Sequence, residues 1–400
     1  MTAKIIRLSV RETRLRKLVL NHLAQLGFHV GESGLIAPPC LTKETYRAFH
    51  AAQRQEKLEK NAAWLSAAHT SLLRWFAAGT DIDASRIQPE LELVRRETWQ
   101  SDLFRLAALY WQIPVSDGYG RRMRFLVWDR SNDKLLGLIA LGDAVFNQAA
   151  RDSFIGWDHN RRKDALVNLM DAYVLGALPP YNMLLGGKLV ASLISTREVQ
   201  ESFAKRYAKS VGVISGERKR AKLVAVTTTS ALGRSSVYNR MRLAGQSLLQ
   251  PIGYTSGFGH FHFSGEVFDE LRRYLEDVGD DYAEGFCYGT GPNWRIRVIR
   301  KALSRLNLDP NLVRHGFARE VFISRLATNA EAYLRGDERA PDFGSLPSVE
   351  QRSREAVARW VTPRSVRDKT YLAWTPEQLL SSILGQESTT NGRQRIGLGT

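Results

Sequence analysis

Hydroxyl, amide and arginine side chains are concentrated in one short segment, residues 227–240. The segment contains six Ser and Thr residues, Tyr238, Asn239 and two arginines, and it follows an apolar run that predicts a buried strand. Ligands of open α/β sheets collect at strand ends, whereas a turn with a helix cap needs only one or two hydroxyls. The segment therefore predicts a binding site that includes Thr227, Thr228 and Ser235, with a Ser/Thr-rich turn as the alternative.

A glycine pair, Gly186-Gly187, stands between a predicted strand and a predicted helix and is followed by Lys188. Free N–H groups and the helix dipole favour an anion at such a junction, and glycine lets a phosphate come close. The segment is not a Walker loop, because Asn182 and Leu189 occupy the places of its first glycine and its hydroxyl residue. The alternative is a tight turn that packs the helix on a sheet.

Two histidines, His260 and His262, lie in a glycine-punctuated segment, residues 253–263. On a strand, side chains two residues apart share a face. The pair could act in acid/base chemistry, belong to a satisfied polar cluster, or bind a metal, although the sequence offers no evident third ligand. A metal-dependent nuclease would instead need clustered carboxylates, for which the candidates are Asp143, Asp152, Asp158 and Asp171.

The chain is strongly basic, with 57 Lys and Arg against 41 Asp and Glu and a net charge of +16. Such an excess attracts polyanions, so we expect a nucleic-acid partner. Arginine beside tryptophan suits a phosphate backbone with a stacked base, as at Trp294, whereas a solvated helix face is the alternative. The candidate nucleic-acid contacts are Arg121, Arg122, Arg124, Arg295, Arg297 and Arg300.

The cellular setting is expected to be the reducing cytoplasm. Cys40 and Cys287 are far apart, which excludes a disulfide framework and a cysteine zinc site. The first seven residues contain no long apolar run of the kind found in signal peptides. The longest apolar runs, such as residues 135–141, are too short to span a bilayer, so we expect no membrane partner.

Periodicity predicts an α+β protein whose mixed sheet is covered by helices. A capping box at Ser9 and Glu12 begins a helix over 9–26, and residues 123–129 and 135–141 form a hairpin. The other predicted strands are 172–178, 222–229 and 251–263. The other predicted helices are 42–78 (one helix or two), 89–110, 161–170, 184–195, 199–208, 234–243, 268–277, an arginine-rich region from 290 and 377–385.

Four regions follow from these elements. Residues 1–115 form a helical N-terminal region, 116–280 an α/β core and 281–336 a basic helical extension. Residues 337–400 combine a proline-containing linker, a short helix and a disordered tail.

Several segments together resemble the DruA family of the Druantia anti-phage system. The resemblance extends over about residues 10–335 and implies a role in defence against phage, with other defence-system proteins as partners, but no particular activity. It is carried by Phe104-Arg105 and by residues 111–127, 141–146, 150–158, 171–181, 184–191, 227–240 and 252–262.

The order of elements also resembles the core of GNAT-type acyltransferases. That resemblance implies a pyrophosphate-binding turn at Gly186-Gly187-Lys188, an acid at Tyr238 and a cofactor contact at Asn239. The sequence Leu-Leu-Gly-Gly-Lys-Leu departs from the usual Arg/Gln-x-x-Gly-x-Gly/Ala form, which leaves the cofactor unidentified.

Three functions are compatible with these features. The first is a GNAT-like group-transfer enzyme that acts on nucleic acid, with Tyr238 as general acid and His260, beside His262, as base. The second is a non-catalytic DNA- or RNA-binding module that recruits an effector. The third is a metal-dependent nuclease that uses the aspartates.

Overall fold

The computed structural model describes residues 8–30, 36–37, 42–115, 120–208, 220–263, 265–280, 293–344 and 346–384. The helices are α1 (Val10–Gln25), α2 (Lys43–Leu73), α3 (Trp99–Ala108), α4 (Ala149–Ile155), α5 (His159–Ala165), α6 (Gly186–Ser192), α7 (Arg197–Tyr207), α8 (Glu266–Asp277), α9 (Asn293–Arg305), α10 (Ala330–Arg335), α11 (Val349–Ala356), α12 (Thr362–Arg367) and α13 (Pro376–Leu384). The strands are β1 (His29–Val30), β2 (Ile36–Ala37), β3 (Pro89–Leu93), β4 (Arg122–Asp129), β5 (Lys134–Asp143), β6 (Leu169–Ala177), β7 (Ala225–Thr229), β8 (Arg242–Leu243), β9 (Gln246–Ser247), β10 (Gln250–Tyr254) and β11 (Glu320–Arg325). Within these ranges no helix has both the length and the apolar character that crossing a bilayer requires.

A mixed seven-stranded sheet organises the chain, in the order β10-β11-β7-β6-β5-β4-β3. β6 and β7 run parallel, and each of the other neighbouring pairs in this order is antiparallel. The strand that comes last in the sequence, β11, lies between β7 and β10, so the sheet is completed by a segment far from the predicted core in sequence.

The parallel pair is short. β6 and β7 pair only from Leu169 with Ala225 to Asp171 with Thr227. Beyond Asp171, β6 continues to Ala177 along β5, with an irregularity opposite Ala140 and Leu141. The two strands therefore separate at Asp171, and backbone groups there leave the sheet ladder at a position where side chains from other elements can enter.

Helices cover both faces of the sheet because the strands are apolar on both sides. One face packs against α6, α7 and α11, with Leu189, Val199 and Ala356 in that cluster. The other face packs against two groups of helices, α2, α3 and α13 in one and α4, α5 and α10 in the other. A separate cluster joins α1, α8 and α9 through residues such as Leu271 and Val298.

Local sequence signals predicted several elements correctly. The capping box at Ser9 is present, with the Ser9 hydroxyl accepting from Glu12 N and the Glu12 carboxylate from Ser9 N, and it begins α1. The hairpin is confirmed as β4 and β5, and the 42–78 helical region is a single helix, α2. The α+β class with a mixed sheet is likewise confirmed.

Four predictions of secondary structure were wrong. Residues 89–93 are the edge strand β3 rather than helix, because Leu91 and Leu93 alternate with glutamates at period two and pair with β4. The region from 290 is not wholly helical, because β11 inserts into the sheet. Residues 234–243 form a 3-10 turn at 238–240 and the short strand β8 rather than a helix, and the strand predicted over 251–263 ends at Tyr254.

The C-terminal region also differs from its prediction as a linker with one short helix. α11, a π-helical turn at Val357–Val361, α12 and α13 follow one another there. Val357, Trp360 and Val361 are buried in the cluster that contains α6, because that face of the sheet needs a cover. The predicted tail, 389–400, lies outside the described residues.

Candidate functional site

Asp171 and Thr227 form a polar pair at the point where β6 and β7 separate. The Thr227 hydroxyl donates to a carboxylate oxygen of Asp171 at 2.8 Å, and the neighbouring Thr228 hydroxyl donates to the Ala172 carbonyl at 2.8 Å. Burial raises the pKa of Asp171, while the Thr227 hydrogen bond and the charges of Arg151 and Arg319 oppose that rise. Asp171 is therefore a carboxyl group poised to hold a proton more readily than an exposed aspartate.

Arg151, on α4, is a buried arginine with every donor group engaged. Its guanidinium donates to the carbonyls of Val145 and Phe146 and to the carboxylate of Asp152, and its side chain is fully buried. The Asp152 carboxylate also accepts hydrogen bonds from the Arg162 guanidinium and from the indole N–H of Trp157. Arg151 therefore has a structural role in holding the loop before α4, and its charge reaches Asp171 from a fixed position.

Arg319, immediately before β11, is a second arginine with limited exposure to solvent. Its backbone N–H and C=O bond to Thr255, but within the described residues no side chain or carbonyl accepts a hydrogen bond from its guanidinium. Burial lowers the pKa of Arg319, and the charges of Tyr46 and Asp171 oppose that effect. Part of its surface remains accessible to solvent.

Ser235 and Asn239, from the 227–240 segment, are held together by Glu320, and Tyr238 N donates to the Ser235 hydroxyl. Its carboxylate accepts from Ser235 N at 3.0 Å and from the Asn239 amide at 2.7 Å. The Tyr238 hydroxyl donates to the Leu175 carbonyl of β6 at 3.4 Å, and its ring packs edge-on against Phe322. Burial raises the pKa of Tyr238 to about 12, so the phenol is protonated at neutral pH, as a general acid must be.

The Gly186-Gly187-Lys188 segment begins α6 after a 3-10 turn. A Cβ at Gly186 would come within 2.5 Å of the Tyr181 carbonyl, so Gly186 serves the tight turn. A Cβ at Gly187 would meet nothing within 4 Å. The Lys188 ammonium lies 5.5 Å from the Trp360 ring centre, and burial, with Arg240 and Arg359, lowers its pKa. Gly187 therefore borders open space, whereas Gly186 is the glycine that the tight turn requires.

His260 and His262 do not share a strand face, contrary to the prediction, because β10 ends at Tyr254. His262 is fully buried in a 3-10 turn, and its Nε2 donates to the Leu312 carbonyl at 2.7 Å. His260 lies half-buried near Arg295. Burial is the main cause that lowers the pKa of both rings to about 4. No described contact joins either histidine to Tyr238.

The arginines that precede the first predicted strand are engaged within the fold. Arg121 forms an ion pair with Asp143 at 2.7 Å and donates to the Val167 carbonyl, and only 15% of its side chain is exposed. Arg124 lies against the Phe104 ring, with 5.4 Å between guanidinium carbon and ring centre. The backbone N–H of Arg122 donates to Tyr207. These positions give Arg121 a structural role that the sequence did not indicate.

The basic residues of helix α9 lie on more than one side of the helix. Arg297, Arg300 and Lys301 follow at i, i+3 and i+4, are all exposed, and share one face. Arg295 lies on another side, 4.3 Å from the centre of the Phe268 ring. It lines an open groove of about 650 Å³ between α2, α8 and α9, whose walls also carry the carboxylates of Glu56, Glu59 and Asp269. Arg297, Arg300 and Lys301 are hereafter the α9 basic face.

The aspartates proposed for a nuclease are not gathered at one place. Asp143 pairs with Arg121, Asp152 with two arginines, and Asp158 caps α5. In the described part of the chain, no three His, Cys, Asp or Glu side chains lie together as a metal site would require. The nuclease hypothesis therefore has no structural support in these residues.

Comparison with known proteins identifies a protein family. The model of the family described as Druantia protein DruA matches residues 40–336. The chain belongs to this family. A curated relative, the Druantia protein DruA of Escherichia coli (strain UMEA 4076-1), is 50% identical over 379 residues, which cover 95% of this chain and 94% of the relative. No solved structure matches the chain.

The residues of the DruA family match include the whole seven-stranded sheet and the α9 basic face. They also include Asp171, Thr227, Arg151 and Arg319. Sequence reasoning named Asp171 only as one of four aspartates and did not select the two arginines. Arg151 lies within a segment that carried the family resemblance, which was the available signal, whereas an isolated arginine before a strand gave none for Arg319.

Proposed function

We propose that this DruA-family chain acts in anti-phage defence by binding nucleic acid through the α9 basic face. Family membership supports the defence role and other proteins of a multi-protein defence system as partners. The observation that carries nucleic-acid binding is α9 itself, whose 13 residues contain five basic side chains and no acidic one. Three of the five share an exposed face, so they can approach successive phosphates.

The groove beside α9 is a less favourable place for a polynucleotide. Glu56, Glu59 and Asp269 line it together with Lys60, Arg272 and Arg295, so the lining carries no excess of positive charge to attract phosphates. The Trp294 ring packs nearly perpendicular to Phe268, and the Arg272 guanidinium lies 6.0 Å from the centre of the Trp294 ring, so side chains of the protein already contact this ring. Within the α9 basic face, Lys301 lies 3.8 Å from the nearly buried carboxylate of Asp280, and Arg297 and Arg300 are exposed.

The test is duplex DNA, single-stranded DNA and RNA binding by fluorescence anisotropy at low salt. The variant Arg297→Ala/Arg300→Ala should weaken binding strongly. The control Arg354→Ala/Arg367→Ala removes the same charge from exposed sites on α11 and α12, and it should bind nearly as the unaltered chain does. Absence of binding to all three nucleic acids, or equal loss in both variants, would contradict the proposal.

A GNAT-like group-transfer enzyme is the second candidate, and the separation of β6 and β7 favours it. The hairpin, the strand β6, the glycine-containing start of α6 and the parallel strand β7 follow in the order that the resemblance implies. The proposed cofactor contacts remain Gly186, Gly187, Lys188, Thr227, Thr228, Ser235 and Asn239. Tyr238 remains the proposed acid, and His260 and His262 the proposed bases.

Ligand-induced thermal stabilisation tests this candidate. Coenzyme A, acetyl-coenzyme A and nucleotides are the probes, because a ligand that binds the native state raises its melting temperature. Stabilisation that Lys188→Ala removes would support the enzyme. Absence of any shift, together with full defence by Lys188→Ala, would leave nucleic-acid binding as the function.

A further inference from the structure

We propose that the β8–β9 hairpin enters the major groove of duplex DNA and that Arg242 contacts the DNA inside the groove. In this arrangement Arg240 and Arg359 contact the phosphates beside the groove. The inference rests on the proposed binding of nucleic acid, and it specifies duplex DNA and a second contact that uses no residue of the α9 basic face.

The β8–β9 hairpin is a short two-stranded ribbon with an exposed tip. Its strands pair antiparallel, and only Ala244 and Gly245 form the turn between them. Both residues have positive φ, 46° and 77°, as in the two-residue turns that match the twist of paired strands. Residues 244–247 are exposed, and so is Arg242. A two-stranded ribbon is one of the elements that the major groove admits, and a tip of small side chains can approach the bases closely.

The base of the hairpin is anchored in the core of the protein. Met241 and Leu249 are fully buried, and Leu243 is 5% exposed. The Leu248 N–H donates to the Met241 carbonyl at 2.9 Å, which closes the hairpin below its strands. Because side chains alternate along a strand, Arg242 points away from the core that Met241 and Leu243 enter. The hairpin therefore holds Arg242 outward on a fixed base, so little conformational freedom is lost when DNA binds.

The stretch of chain that contains the hairpin has positive charge and no negative charge. No Asp or Glu occurs in residues 218–265, although this stretch contains seven Lys and Arg residues. Arg240 and Arg242 are exposed, and neither takes part in an ion pair within the described residues. The charge of these two arginines is therefore available to phosphates.

Lys188 and Arg359 bring further positive charge to the hairpin from other parts of the chain. The Lys188 ammonium donates to the Arg240 carbonyl at 3.5 Å and lies 5.5 Å from the centre of the Trp360 ring. Arg359, the residue before Trp360, is exposed. Burial lowers the pKa of Lys188, and the charges of Arg240 and Arg359 lower it further, as happens where cations gather.

The carboxylates that flank Arg359 in the sequence have arginine partners of their own. No Asp or Glu occurs in residues 356–367. On either side of this stretch, Glu355 pairs with Arg352 at 3.6 Å and Asp368 pairs with Arg364 at 2.6 Å. Positive charge from three separate segments therefore meets at the hairpin, which favours a polyanion as its partner.

The charge of the hairpin is tested by fluorescence anisotropy of the full chain with duplex DNA at low salt. Arg240→Gln/Arg242→Gln should lower the affinity by about tenfold or more, because it removes two charges and the contact inside the groove. The control Arg86→Gln/Arg339→Gln removes the same charge from exposed positions elsewhere and should bind nearly as the unaltered chain does. Unchanged affinity in the hairpin variant, or an equal loss in the control, would overturn the proposal.

The shape of the hairpin is tested by variants that keep its charge. Valine disfavours positive φ, so Gly245→Val should distort the turn and weaken duplex binding, although a Cβ there would meet nothing within 4 Å. Ala244→Gly suits the same turn and should bind at least as well as the unaltered chain. A duplex whose thymines carry bulky C5 substituents has a filled major groove, so it should bind weakly and lose no further affinity with Arg242→Gln. Normal affinity for that duplex, or normal binding by Gly245→Val, would contradict entry into the groove.

The hairpin and the α9 basic face can fail separately in these measurements. Loss of duplex affinity in Arg297→Ala/Arg300→Ala but not in Arg240→Gln/Arg242→Gln would overturn the hairpin proposal and leave the α9 basic face as the binding surface. The reverse result would support the hairpin and contradict the α9 basic face, and loss in both variants supports both surfaces. Binding of single-stranded DNA or RNA without duplex binding overturns the hairpin proposal alone, whereas absence of all binding overturns both.

Discussion

The Thr227 hydroxyl donates a 2.8 Å hydrogen bond to Asp171 across the last paired position of the parallel strands β6 and β7. This bond stabilises a carboxylate that burial alone would disfavour, since it lowers the pKa of Asp171 while burial raises it. The hydrogen bond from Thr227 therefore favours the charged form of Asp171 and holds its carboxyl group at the place where β6 and β7 separate.

Replacement of Thr227 by valine should show how much the Thr227 hydroxyl stabilises the charged form of Asp171. Thr227→Val keeps the side-chain shape but removes the donor, so the pKa of Asp171 should rise further and unfolding at pH 7 should become easier by about 1–3 kcal/mol. The loss should shrink at pH 4, where the carboxyl group is more often protonated. Urea denaturation at both pH values measures it, and Thr227→Ser, which retains a hydroxyl, should lose much less.

The free energy of unfolding should respond differently to loss of the charge of Arg151 and to loss of the charge of Arg319. Arg151→Gln breaks bonds to Asp152 and to two carbonyls, and it removes the nearest positive charge from the Asp152 carboxylate, which should cost about 3–5 kcal/mol of stability. Arg319→Gln removes a charge for which the described residues provide no acceptor, and it should be neutral or stabilising by about 1 kcal/mol. Parallel urea denaturation of the two variants provides the comparison, and a large destabilisation by Arg319→Gln would show that the guanidinium has a structural partner.

Buried histidines should make the fold sensitive to acid. The pKa of His262 is about 4 in the native state against an ordinary 6.5, so between these values the unfolded chain binds a proton that the native chain does not. Stability should therefore fall as the pH drops from about 6.5 towards 4. His262→Gln should flatten this fall in denaturation curves taken across that range, whereas His29→Gln, at an exposed site, should leave its slope unchanged.

The elements that the sequence predicted are those specified by neighbouring residues. A capping box fixes the start of α1, and two apolar runs around a polar turn give the β4–β5 hairpin. β11 was missed because its short apolar stretch becomes a strand only between β7 and β10, which come from distant parts of the chain. For the same reason Arg319 could not be selected, since the absence of an acceptor is a property of the assembled fold.

Salt dependence should reveal how many phosphates the α9 basic face contacts. Each contact with duplex DNA contributes a slope of about 0.9 in log affinity against log salt concentration. Arg297→Ala/Arg300→Ala should therefore reduce the slope by about 1.8 if both residues contact phosphate. The same anisotropy titrations on Arg354→Ala/Arg367→Ala should give an unchanged slope, and an equal reduction there would indicate that only the overall charge matters.

Tyr238 offers the clearest division between an enzyme and a binding module. Its hydroxyl makes one contact, 3.4 Å from the Leu175 carbonyl, while its ring packs against Phe322, so Tyr238→Phe should change the free energy of unfolding by less than about 1 kcal/mol. DNA affinity should also be unchanged, because the α9 basic face is untouched.

With stability and DNA affinity preserved, the defence phenotype of Tyr238→Phe reports on chemistry alone. Phage plaque counts on cells carrying the complete defence system provide that measurement. A general acid cannot be replaced by phenylalanine, so a group-transfer enzyme that uses Tyr238 should lose protection. Full protection by Tyr238→Phe would show that the ionisable hydroxyl of Tyr238 is dispensable. Combined with lost protection by Arg297→Ala/Arg300→Ala, that result would mean that this chain contributes nucleic-acid binding to the defence system.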